Sequence, residues 1–113
     1  MWQSRLALHV DDRQDVSVVR LDGELDLGTD AYLVGACADL IARDRVKIVV
    51  DVSGLGFCDC SGLSALIAEK REAERRGGYL RLVGVHGLLA RLLTVAELAD
   101  AFPPYADLRQ ACC

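Results

Sequence analysis

Three adjacent residues, Asp59, Cys60 and Ser61, carry side chains with the chemistry of an acid, a thiol and a hydroxyl. They lie in the stretch FCDCSGLSALI, between a β-like apolar segment and a helix-like one. A serine at such a turn is a favoured N-cap, because its hydroxyl oxygen accepts from an amide two or three residues later. The same hydroxyl can carry phosphate, since a helix N-terminus favours an anion by about 0.3–1 kcal/mol. The stretch therefore predicts a helix cap or a phosphorylation switch at Ser61.

Known catalytic patterns do not match this stretch. A Ser hydrolase elbow needs Gly-x-Ser-x-Gly, but Ser61 is followed directly by Gly62. Neither a P-loop nor a dinucleotide fingerprint occurs in the chain, and the two histidines, His9 and His86, are isolated. The cysteines and histidines also lack the spacing of four zinc ligands. We therefore expect no catalysis, no cofactor and no metal.

The five cysteines leave one further possibility. An odd number without a secretion signal argues against a disulfide framework, and we expect Cys37 and Cys58 to be small core residues. A thiol enzyme or redox sensor using Cys58 and Cys60 is an alternative. It is disfavoured because residues so close in sequence form poor disulfides and because Asp59 would raise a neighbouring thiol pKa.

Size and composition indicate a small globular protein. A chain of 113 residues suits one domain, residues 1–113. Hydrophobic residues make up 52% of the chain and aromatic residues only 5%, which predicts an aliphatic core. The net charge is −4 without a basic stripe, which argues against nucleic acid. The apolar runs are too short to span a bilayer, and the N-terminus lacks the apolar core of a secretion signal. We expect a cytoplasmic protein with neither nucleic acid nor membrane as a partner.

Hydrophobic periodicity predicts the order β, β, α, β, α, β, α, α. Residues 5–10 and 16–21 flank a charged turn and indicate a β-hairpin. Thr29 or Asp30 is expected to cap the first helix, after an acidic, glycine-rich loop. The remaining expected elements are a strand at 46–52, a loop at 53–60, a helix at 61–76, a strand at 79–85, a helix at 88–95, a short strand near Phe102 and a final helix within 105–113.

This order predicts an α/β fold. Strands that alternate with helices form parallel pairs with right-handed crossovers, and the opening hairpin adds an antiparallel strand. We expect a small mixed β-sheet with helices packed mainly on one face.

Three segments together carry a family resemblance. They are LDGELDLGTDAYL (21–33), VVDVSGLGFCDCSGLSALI (49–67) and GGYLRLVGV (77–85), and the resemblance covers nearly the whole chain, from about Val16 to Ala111. The chain resembles the STAS domains of bacterial anti-sigma factor antagonists. The resemblance implies a STAS-type fold and a regulatory binding protein that is not an enzyme.

The resemblance also implies roles for individual residues. The phosphate acceptor of the family directly precedes the Gly of Asp-Ser-Ser-Gly, which places it at Ser61, while Cys60 replaces the first serine of that pattern. Asp59 matches the acid of the motif, and Asp26 matches the acid of the Gly-Glu-Leu-Asp loop that lies beside the acceptor. With Gly62, these residues are the expected partner-binding site. Further along, Glu97 stands where the family pattern has a Gly.

The implied mechanism is partner switching. The unphosphorylated protein binds an anti-sigma factor with a GHKL-type serine kinase fold and so frees the sigma factor. Phosphorylation of Ser61 ends the binding, because a phosphate near Asp26 and Asp59 must be desolvated on docking, and a PPM-type serine phosphatase restores it. The alternative is a constitutive STAS subunit of a lipid-transport or sensory complex, which phosphorylation does not regulate.

Overall fold

The computed structural model describes residues 5–103, 105 and 107–112. Its strands form one four-stranded sheet in the order β1-β2-β3-β4. β1 pairs with β2 in antiparallel fashion, while β2 with β3 and β3 with β4 are parallel pairs. The strand bounds are β1 Leu6–Asp12, β2 Ser17–Leu25, β3 Lys47–Cys58 and β4 Tyr79–Val83.

Helices cover the sheet unequally. The helix bounds are α1 Asp30–Ala42, α2 Cys60–Arg75, α3 Gly87–Val95 and α4 Leu108–Ala111. Side chains of α1, α2 and α3 belong to the main core on one face, whereas Ala111 of α4 belongs to a smaller cluster with Val18 and Val49. The expected mixed sheet with helices mainly on one face is confirmed.

The sequence of β3 explains why this strand lies at the centre. Ile48, Val50 and Val52 belong to the main core, and the alternate residue Val49 belongs to the cluster under α4. Successive side chains of a strand point to opposite faces, so a strand covered on both faces needs a nearly continuous apolar run. VKIVVDV supplies that run.

Two segments expected as loops are strand in the structure. β2 continues to Leu25 and β3 to Cys58, and the added residues pair with each other, including Gly23 with Leu55. Their glycines and acids have low intrinsic β-propensity, so the pairing itself recruits them. Gly23 has φ of 112°, and a Cβ there would lie 2.1 Å from the carbonyl oxygen of Arg5. The prediction of loops was wrong, because the β-propensity of each segment does not reflect the pairing between β2 and β3.

The other differences are smaller. α2 begins at Cys60, one residue earlier than expected. The described residues around Phe102 form no strand, contrary to expectation, and Phe102 packs into the main core. Positions 106 and 113 of the expected final helix lie outside the described residues. None of the helices within the described residues has the length and apolar character needed to cross a membrane.

Candidate functional site

The candidate site lies at the carboxyl ends of β2 and β3. These neighbouring parallel strands end side by side, with Leu25 paired to Cys58, and the backbone N–H of Asp59 donates to the carbonyl oxygen of Leu25 at 3.2 Å. Each strand leads into a helix, so the loop 26–29 and the start of α2 become neighbours. The carboxyl edge of parallel strands is the usual place for a site in such sheets.

Asp59, not Ser61, is the N-cap of α2. The Asp59 backbone is extended, and its Oδ1 accepts a hydrogen bond from the backbone N–H of Gly62 at 2.9 Å. The cap role expected for Ser61 was wrong, because aspartate is an equally favoured cap and stands before the first helical residue. Ser61 is the second residue of the helix, and its hydroxyl is not used in capping.

Ser61 lines an open groove between α1 and α2. Its side chain is partly exposed, and its hydroxyl has no hydrogen-bond partner among the described residues. Cys60 beside it is exposed. The described residues that line the groove include one carboxylate, Asp30, and no lysine or arginine; they are Asp30, Val34, Cys60, Ser61, Ser64 and Ala65. A phosphate on Ser61 would therefore meet no positive side chain among these described lining residues.

Asp26 is buried, with 7% of its surface exposed, and is paired with Arg5. Arg5 donates to both carboxylate oxygens, at 3.1 Å for Oδ1, and the backbone N–H of Gly28 donates to Oδ1 at 2.9 Å. Burial raises the pKa of Asp26, but the Gly28 hydrogen bond and the positive charge of Arg5 outweigh it, so the pKa is lowered overall. Asp26 lines a second groove together with Asp59, not the groove of Ser61.

Thr29 supports the same loop. It occupies the N-cap position of α1, as expected, but its side chain makes no capping hydrogen bond. Its hydroxyl instead accepts from the backbone N–H of Asp26 at 3.0 Å and donates to the carbonyl oxygen of Glu24 at 2.8 Å. Asp26 and Thr29 therefore fix the shape of the turn between β2 and α1.

Gly62 is buried where α2 meets the end of β2. A Cβ at this position would lie 2.6 Å from the carbonyl oxygen of Leu25 and 3.0 Å from the Sγ of Cys58. A glycine is needed here because a larger residue would push the helix away from the strand. Its evident contribution is to place the first turn of α2, including Ser61.

The described cysteines differ in exposure, and Cys112 is intermediate. Cys37 and Cys58 are buried, as expected, while Cys60 is exposed. Burial, with smaller contributions from Asp59 and Cys60, raises the pKa of Cys58 to about 12. A neutral thiol is a poor nucleophile, which counts against the thiol-enzyme alternative. Among the described residues, no three His, Cys, Asp or Glu side chains cluster as metal ligands would.

Sequence reasoning missed three residues beside the site: Arg5, Leu27 and Phe57. All three line the second groove, which is lined by Arg5, Glu24, Asp26, Leu27, Gly28, Phe57 and Asp59. The backbone N–H of Glu24 donates to Arg5 across the hairpin. Arg5 could have been predicted, because its opposite charge to Glu24 favours a pair across the hairpin. No feature of the sequence pointed to Leu27 or Phe57, because single apolar residues in predicted loops are common.

Comparisons with known proteins agree in family and fold. The model of the STAS domain matches residues 7–111. The anti-sigma F factor antagonist of Paenibacillus polymyxa is 29% identical over 101 residues, which cover 88% of this chain and 86% of that protein. The crystal structure of an anti-sigma factor antagonist from Mycobacterium paratuberculosis aligns with a TM-score of 0.82 at 28% identity, covering 94% of this chain and 90% of that one. The Bacillus cell fate determinant SpoIIAA, solved in its phosphorylated form, shares the fold at 20% identity with a TM-score of 0.73, covering 91% of this chain and 95% of its own.

Proposed function

This chain belongs to the STAS domain family, and we propose that it is an anti-sigma factor antagonist that phosphorylation of Ser61 switches off. In this proposal the unphosphorylated form binds an anti-sigma factor that is also a GHKL-type serine kinase, and the sigma factor is released. A PPM-type serine phosphatase reverses the modification. The protein acts in the cytoplasm as a binding partner and has no catalysis of its own.

The observation that carries the proposal is the position of Ser61. Its hydroxyl is partly exposed, is not used as a helix cap and has no hydrogen-bond partner among the described residues. Such a hydroxyl can enter the active site of a kinase without unfolding α2. It also has no structural bond in the described part of the chain that a phosphate would break.

The structure changes the electrostatic reason for the switch. Asp26 is paired with Arg5, and Asp59 is bonded to the first turn of α2, so neither is an unpaired carboxylate aimed at Ser61. The groove of Ser61 instead consists mostly of small uncharged side chains. A phosphate adds about −1.5 to −2 charges there. Burying that unpaired charge under a partner would cost several kcal/mol, and each 1.4 kcal/mol is roughly a tenfold loss of affinity.

The test combines labelling and binding. The wild-type protein and the variants Ser61→Ala, Ser61→Asp and Ser64→Ala are incubated with labelled ATP and each purified anti-sigma factor kinase of the same organism. Ser64 is the matched control, because it lines the same groove one turn further along α2. Wild type and Ser64→Ala should be labelled and Ser61→Ala should not. Ser61→Ala should bind the kinase, whereas Ser61→Asp should bind at least tenfold more weakly. Equal labelling of Ser61→Ala and wild type would refute the assignment of the acceptor.

The constitutive STAS subunit is the competing proposal. It predicts a stable complex with a transporter ATPase or a sensory assembly and no labelling at Ser61. Co-purification separates the two proposals, because only the switched antagonist should be recovered with a kinase and lose it when ATP is added.

A further inference from the structure

A short segment near the C-terminus packs on the face of the sheet opposite to the main core. Its helix, α4, spans only Leu108–Ala111, and Ala111 is fully buried. We name the described residues 105 and 107–112 the C-terminal strap, and the four buried valines beneath them the valine seat. The seat consists of Val16, Val18, Val49 and Val83.

The helix of the strap depends on its contact with the sheet. Asp107 caps it, because its Oδ1 accepts from the backbone N–H of Gln110 at 2.9 Å. A helix of four residues is nevertheless a single turn, and its first hydrogen bond does not offset the entropy lost in fixing that turn. Isolated helices of fewer than about 12 residues are marginal in water. The strap therefore stays helical only while it packs on the valine seat.

Arg81 of β4 contacts both ends of the strap. Its Nη1 donates to the carbonyl oxygen of Ala111, the last residue of α4, at 2.8 Å. Its guanidinium also lies 5.3 Å from the ring centroid of Tyr105, at the start of the strap, and 3.8 Å from that of Tyr79 in β4. A positive charge is favourable both at the carboxyl end of a helix and over an aromatic face. One side chain of the sheet thus fastens the strap at both ends.

The packing of the strap is separate from the main core. Within the described part of the chain, the cluster under the strap and the main core have no residue in common. The chain that leads to the strap is anchored by Phe102, which is buried in the main core. Lifting the strap would therefore disrupt the smaller cluster and leave the main core intact. Segments with few buried contacts open locally at a lower free energy than the whole domain.

We propose that the C-terminal strap is a cover that opens as one unit while the rest of the domain stays folded, and that Arg81 is its latch. When the strap is closed, it shields the valine seat from solvent and from other chains. When it is open, the seat is an exposed apolar patch. The strap and α2 lie on opposite faces of the sheet, so opening leaves Ser61 in place. Opening is therefore independent of the proposed phosphorylation switch.

Amide hydrogen exchange at increasing urea concentrations tests the opening. The reporters are the backbone N–H groups of Ala111 and Cys112, which donate to carbonyl oxygens four residues earlier at 3.1 and 2.9 Å. Leu66, fully buried in α2, reports global unfolding. We expect the two strap amides to share one opening free energy, lower than that of Leu66, with a much weaker dependence on urea, since this dependence scales with the surface exposed. If they match Leu66 in both quantities, the strap opens only with the whole domain and the proposal is wrong.

Arg81→Met tests the latch, and Arg71→Met is the matched control, because Arg71 is an exposed arginine of α2. We expect Arg81→Met to accelerate exchange of both strap amides about tenfold, since a hydrogen bond from a charged group is lost, and Arg71→Met to leave it unchanged. Unchanged exchange in Arg81→Met would exclude Arg81 as the latch. Acceleration at Cys112 alone would indicate fraying of the helix end, which also contradicts the proposal. If Arg81→Met does not fold, the urea series on wild type still decides whether the strap opens by itself.

Discussion

Replacing Asp59 separates its role as a helix cap from its proposed role in partner binding. Its Oδ1 accepts from the backbone N–H of Gly62 at 2.9 Å, the third amide of α2. Replacing an N-cap aspartate by alanine costs about 0.5–2 kcal/mol, and asparagine caps nearly as well as aspartate. We therefore expect Asp59→Ala to lower the free energy of unfolding by about 1 kcal/mol and Asp59→Asn to lower it by less than half of that.

Urea denaturation measures the global effect, and amide hydrogen exchange measures the local one. A loss of about 1 kcal/mol corresponds to a fall in melting temperature of roughly 4 °C for a domain of this size. Exchange of the Gly62 amide should accelerate in Asp59→Ala and remain slow in Asp59→Asn, because only the alanine variant leaves that amide without its acceptor. Both variants should stay folded, since small domains typically have about 5–15 kcal/mol of stability.

Affinity measurements with a kinase then test whether the negative charge of Asp59 contacts the partner. If the carboxylate contacts the partner, Asp59→Asn binds a kinase more weakly although its stability is nearly that of wild type. If Asp59 acts only as a cap, Asp59→Asn binds like wild type. The reasoning about capping is refuted if Asp59→Ala unfolds at the wild-type urea concentration with unchanged protection of the Gly62 amide.

Two further predictions concern backbone strain and pH. Glu97 follows the C-cap of α3 with φ of 57°, so Glu97→Gly should raise the free energy of unfolding by about 0.5–1 kcal/mol in urea denaturation. Asp44→Gly is the matched control, because Asp44 also has a positive φ, of 63°. Its free energy of unfolding should rise by less, since aspartate tolerates the left-handed conformation better than glutamate. An equal rise in the two variants would contradict the explanation. Asp26→Asn should destabilise the protein at neutral pH, because the lowered pKa of Asp26 stabilises the folded state above the ordinary Asp range. The difference from wild type should disappear as the pH falls through about 4 and below, where the carboxyl takes up a proton, and a difference that stays constant down to pH 3 would show that the ion pair is not its cause.

The elements with strong local patterns were predictable. The strands of VKIVVDV and YLRLVGV and the helix of Leu63 and Leu66 each begin within one residue of the start that hydrophobic periodicity predicted. Glu97 is also instructive, because the position where the family pattern has a glycine takes the left-handed conformation that favours glycine. In each case the determining interactions lie within a few residues along the chain.

The ends of β2 and β3 were not predictable in the same way. SGLGFC has little β-propensity, and it becomes strand because Glu24 and Leu25 pair with Phe57 and Cys58, more than thirty residues away along the chain. That pairing sets the start of α2, and with it the residue that becomes the cap. β3 ends at Cys58, six residues beyond the predicted end, and the cap is Asp59 instead of Ser61.

By itself the sequence determined the types and order of the elements, the aliphatic core and the location of the polar turn at Ser61. Only the tertiary structure decided that Arg5 holds Asp26, 21 residues away, that Leu27 is exposed, and that no basic side chain among the described residues lines the groove of Ser61. The physical reason is the range of the interactions. Periodicity and capping act over one or two turns, whereas charge pairing and groove shape depend on which distant segments the sheet brings side by side.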